Sequence, residues 1–136
     1  MQKGDLEVIF NKSEKITNKN YLYHNIGLCA QDDIFFDYLT VYEHLQLMCE
    51  LKGRKPEDNE ITSLLSKLEL LSKKDSLCKT LSGGQKRKLC IALAMIGNSK
   101  LILLDEPTSG MDVIAKRSLW EFLKNNKKDK IIILTT

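Results

Sequence analysis

The stretch LSGGQKRKLCIALAMIGNSKLILLDEPTSGMD, residues 81–112, decides the fold, because a glycine-rich helix entrance, an apolar strand and a pair of carboxylates follow one another in it. Ser82 is a suitable N-cap, Gln85 three residues on completes a capping box, and apolar residues recur at Leu89, Leu93 and Ile96, so a helix is expected here. A helix that opens in this way points unpaired backbone amides at its entrance. Gly83 and Gly84 carry no side chain to keep an anion away from them, so the entrance suits a phosphate. Taken alone, the same residues also describe a plain turn before a helix.

Leu101, Ile102, Leu103 and Leu104 form an apolar run too short for an independent helix and bounded by Lys100 and Pro107, which predicts a buried strand. Asp105 and Glu106 then stand at its carboxyl end, where ligands bind in an open α/β sheet. One carboxylate there can hold Mg²⁺ through its water shell and the next can orient or deprotonate a water. An Asp-Glu pair also ends many strands that lead only into a solvated turn.

Working outward, Ser109, Gly110, Met111 and Asp112 predict a turn whose aspartate caps a helix running to about Asn125. Leu119, Phe122 and Leu123 form its inward face with Trp120 half-buried beside them, and a last strand begins at Ile131. Upstream, Leu6, Val8 and Phe10 alternate as in a half-buried strand, and a second apolar stretch, Ile26–Cys29, leads into Gln31. Thr40 and Glu43 form another capping box, followed by a face of Val41, Leu45, Met48 and Leu51 that ends at Gly53. A second amphipathic segment, about 57–71, carries Ile61, Leu64, Leu65 and Leu68. With the helix after Ser82 these make a small all-α subdomain. His24 and His44 lack metal-ligand partners in the sequence and are expected on the surface or in packing.

At 136 residues, 43% of them hydrophobic and 29% charged, the chain has room for one domain and a real core. Lys and Arg exceed Asp and Glu by 21 to 18, too small and dispersed an excess to argue for a nucleic-acid partner. Lys124, Lys127, Lys128 and Lys130 are expected at a solvated helix end and turn. Cys29, Cys49, Cys78 and Cys90 show no CxxC pairing and are expected to be free thiols of a reducing, cytosolic compartment. No run approaches the length of a transmembrane helix and no signal peptide is visible, so membrane association is expected to come through another part of the protein.

The order LSGGQ, LILLDEP, TSGMD resembles the ATPase module of ATP-binding cassette proteins, where the three pieces are the signature, the Walker B strand and the D-loop. The resemblance continues through IGLCAQDDIFFDYLTVYEHLQLMCELKG, whose Gln31 falls where that family has its Q-loop glutamine, and the wording of LTVYEHL and SGGQKRKL is most like the A subfamily, often lipid exporters. It implies an α/β fold, a P-loop NTPase sheet with a helical subdomain and signature helix over about 40–98 and the Walker B strand, D-loop, helix and strand over 101–136. It also implies ATP and Mg²⁺ as ligands, Glu106 as general base, Asp105 as the Mg²⁺ carboxylate and Gln31 as a sensor reaching the metal and the attacking water. Ser82, Gly83, Gly84, Gln85, Ser109, Gly110 and Asp112 would face the nucleotide of a second nucleotide-binding domain, head to tail with the first. Transmembrane domains of the parent transporter would be the other partners, with the cassette on the cytosolic face of a membrane. Two departures are Ala30 and Val113, where relatives carry proline.

A G-x-x-x-x-G-K-[ST] loop appears nowhere, and the histidine that the family places directly after the strand matching 131–136 is also missing. The expectation is therefore a fragment that lies between the P-loop helix and the switch histidine, with the strands at 101–104 and 131–134 left with exposed apolar edges. A helix entrance contributes only about 0.3 to 2 kcal/mol towards an anion, so the signature can clamp a held nucleotide but cannot capture one. Two rival readings are a soluble cassette ATPase without membrane domain and a non-catalytic module that only donates a signature.

Overall fold

Ile26–Cys29 (β1), Leu101–Asp105 (β2) and Ile131–Thr135 (β3) form a parallel sheet with β2 at its centre. This computed structural model describes residues 19–32 and 35–135, and the strand expected over 5–10 lies outside them. Ile26, Leu101 and Ile131 stand side by side, as do Cys29, Leu104 and Leu134. The run 101–104 was expected to leave an open edge, and that expectation fails, because β1 and β3 satisfy its backbone on both flanks. The exposed apolar surface is instead one face of the sheet, at Leu28, Ile131 and Ile133.

The opposite face carries Gly27, Cys29, Ile102 and Leu104, all buried. Helix α4, Gly83–Met95, packs on it so closely that its backbone at Ala94 leaves no room for a side chain on Gly27. Helix α2, Val41–Leu51, covers the far side of α4, and α3, Asp58–Lys67, packs on α2. Enclosed on both sides, α4 buries every residue from Leu89 to Met95 rather than the single stripe its periodicity predicts. The short helix α1, Lys19–Asn25, precedes β1, and α5, Val113–Asn125, turns Leu119, Phe122 and Leu123 into the core as expected.

Some details of the helical region differ from the sequence pattern. Leu51 is exposed, and His44 takes a place in the buried face of α2. The His44 ring accepts from the Phe36 amide at Nε2 (3.0 Å), so Nδ1 carries the hydrogen and donates to the Thr40 carbonyl at 3.0 Å. Lys130 is half-buried with its ammonium on Asn98 Oδ1 at 3.2 Å, unlike the solvated lysines before it. All four cysteines are buried thiols outside any disulfide.

Candidate functional site

The entrance to α4 is built by a reciprocal cap. Ser82 Oγ accepts from the Gln85 amide at 3.2 Å and Gln85 Oε1 accepts from the Ser82 amide at 3.0 Å. Both side chains are thereby held against the first turn. A Cβ on Gly83 or Gly84 would meet nothing within 4 Å, so no neighbouring group crowds these two residues at the helix entrance. That is the shape an approaching anion needs.

At the carboxyl end of β2, Asp105 is half-buried and Glu106 exposed. The Thr135 hydroxyl, at the end of β3, donates to Asp105 Oδ1. The Glu106 amide donates to both the carbonyl and the hydroxyl oxygen of Thr135, each at 3.2 Å. Glu106 itself has φ +42°, in the left-handed region that costs an ordinary residue about 1–3 kcal/mol, and so it needs such restraints. Its carbonyl accepts from the Ser109 amide at 3.0 Å, which starts the turn that follows. Buried Pro107 and Met111 anchor this turn while Ser109, Gly110 and Asp112 stay exposed, and Gly110, at φ +72°, supplies its left-handed step. Asp112 then caps α5 through the Ala115 amide at 2.8 Å.

Gln31 lies just beyond β1, exposed, and reaches the same region through its backbone. The link is Arg87, on the second turn of α4 and only 4% exposed. Its Nη1 donates to the carbonyls of Ala30 (2.6 Å) and Gln31 (3.4 Å), and its Nη2 donates to those of Asp105 and Glu106, the latter at 2.9 Å. Gln31, Asp105 and Glu106 therefore gather around one guanidinium, while Ser82 to Gln85 stand at the entrance of the helix that carries it.

Among the described residues no group of three or more His, Cys, Asp or Glu comes together. A site with one or two carboxylates and open space beside them fits Mg²⁺, a hard ion that keeps most of its waters, better than a caged transition metal. The open glycine cradle likewise fits a phosphate. Arg87 and Thr135 are absent from the sequence-based set. Arg87 reads as the middle of a solvated Lys-Arg-Lys run, yet Ile91 and Ala94 lie four and seven residues on, and that helical spacing places it on the buried face.

The family profile described as ABC transporter matches residues 2–109. The chain is 47% identical over 114 residues to the Phospholipid-transporting ATPase ABCA3 of Rattus norvegicus, covering 82% of the chain and 7% of that protein. It is 36% identical over 136 residues to the ABC-type organic anion transporter ABCA8A of Mus musculus, covering 98% of the chain and 8% of that protein. In fold it matches an ABC transporter ATP-binding protein from Pyrococcus furiosus with a TM-score of 0.74 at 24% identity, covering 85% of the chain and 58% of the other. The chain thus spans less than a tenth of the length of these two curated relatives. With a glycine-lined helix entrance and a strand ending in Asp-Glu, and with the family profile running across both up to residue 109, the chain belongs to the ABC transporter family, in its nucleotide-binding domain and similar to the A subfamily.

Proposed function

We propose that these residues form part of an ATP-hydrolysing domain that drives transport across a membrane, with lipid as the cargo. The observation that supports it most is the gathering of Gln31, Asp105 and Glu106 around Arg87 at the carboxyl end of a central parallel strand. In this reading Asp105 holds the water shell of Mg²⁺, which when bound neutralises charge on the phosphate oxygens. Glu106 accepts a proton from the attacking water, and Gln31 orients that water. Residues 82–85 and 109–112 face the nucleotide held by a second such domain, head to tail, so that each hydrolysis site is shared.

The chain has no G-x-x-x-x-G-K-[ST] sequence, and a helix entrance alone contributes too little to capture a nucleotide. The phosphate grip therefore comes from residues other than these 136. No helix among the described residues is long and apolar enough to cross a membrane, so the spans too belong to other parts of the transporter. Lipid as cargo rests on the name of the rat relative. The test is reconstitution of the complete protein in vesicles, with ATP turnover and movement of a labelled phospholipid measured together. Turnover without lipid movement would remove the cargo assignment, and turnover by a protein without spans of about 20 apolar residues would favour a soluble cassette ATPase.

A further inference from the structure

Burying a guanidinium carries a desolvation cost that the apolar residues on the same face of α4 avoid, and here, among the described residues, the group donates to carbonyls of two segments far apart in the chain. One arm holds the exit of β1 and the other the exit of β2. Such a division of labour suits a rigid planar fork and not a single ammonium. Glu106 depends on it further, since its left-handed conformation is restrained by Thr135 at its amide and by Arg87 and Ser109 at its carbonyl.

We propose that Arg87 is a positioning residue that holds Gln31 and Glu106 in one fixed relation, and that it sets the rate of hydrolysis without contributing to nucleotide affinity. The rate part rests on the ATPase reading above. Holding Gln31 and Glu106 by their carbonyls, Arg87 leaves both functional side chains to face the water. Without the fork neither loop is held to the other, so both loosen together and Glu106 relaxes from its left-handed conformation.

The test uses the complete protein carrying this cassette, with Arg87→Met and Arg87→Lys. Expected for both is a kcat at least tenfold lower with KM for ATP within threefold. Hydrogen–deuterium exchange should rise at least tenfold in residues 28–32 and 104–110 together, while α2 keeps its protection. If Arg87→Met fails to fold, Arg87→Lys carries both readouts. Wild-type kcat in the variants, a KM that rises in step with the fall in kcat, or exchange that rises in one segment only or equally across α2 would overturn the proposal. A wild-type protein without ATPase activity would overturn the ATPase reading and with it the rate role, and the exchange measurement would then decide the joint positioning of the two loops.

Discussion

A Cβ on Gly27 would stand 1.7 Å from the carbonyl oxygen of Ala94, so the middle of β1 and the last turn of α4 touch backbone to backbone. Neither atom belongs to a flexible side chain that can turn away. Gly27→Ala is expected to push α4 off the sheet and destabilise the fold by about 3 kcal/mol, at the upper end of overpacking costs. Urea unfolding compares the two chains directly, and a loss below about 1 kcal/mol would contradict the close packing.

Gly84 offers the opposite case. Its Cβ would meet nothing within 4 Å, and alanine favours the first turn of a helix more than glycine does, so Gly84→Ala should leave stability unchanged or raise it by about 0.5–1 kcal/mol. In the assembled protein the same methyl would stand in the anion's path. Thermal unfolding and ATP turnover should therefore move in different directions, and unimpaired turnover would argue that no phosphate approaches this entrance.

Glu106→Gln keeps the shape and hydrogen-bonding capacity of the side chain but removes its basicity. In the complete protein, nucleotide binding is expected to persist while hydrolysis falls about 10²–10⁴-fold, the usual contribution of a general base. Nucleotide trapping and phosphate release measure the two effects separately. Undiminished phosphate release would take the general-base role away from Glu106.

The chain by itself should bind Mg-ATP no better than weakly, because its helix entrance and carboxylates offer few of the phosphate contacts a P-loop supplies. Titration calorimetry is the direct measurement. A micromolar dissociation constant would show a phosphate grip of another kind.

Lys52 is buried at the end of α2 with its ammonium on the Ile96 carbonyl and Ser99 Oγ, each at 2.7 Å. Burial pushes its pKa down from 10.5 to about 8. The folded chain then releases this proton before the unfolded chain does, so the cost of burying the charge is fully present below pH 8 and fades as pH rises towards 10.5. The expected gain across that window is roughly 3 kcal/mol. Burial raises the Cys49 thiol and pushes the Cys78 thiol up to about 11, which works in the opposite sense, so the comparison is with Lys52→Met. The wild-type minus variant stability should climb with pH, and a flat difference would show that the ammonium is solvated.

Local sequence determined the caps and the strands. Thr40 with Glu43, Ser82 with Gln85, and Asp112 with Ala115 each bond across three residues, so the signal and the interaction share one short segment. The apolar runs at 26–29, 101–104 and 131–134 likewise became strands in place, and Asp105 and Glu106 fell at the carboxyl end of the central one. The tertiary structure alone decided which charged residues went inside. Arg87 and Lys52 look like their exposed neighbours in sequence, and they are buried because the exits of β1 and β2 and the end of α4 present carbonyls that a cation can satisfy. It also decided that 101–104 is the centre of the sheet, with the exposed apolar surface on a face at Leu28, Ile131 and Ile133, and that Gly27 must lack a side chain. Each of these depends on atoms supplied by segments dozens of residues away, and no periodicity within a short window encodes where those atoms will stand.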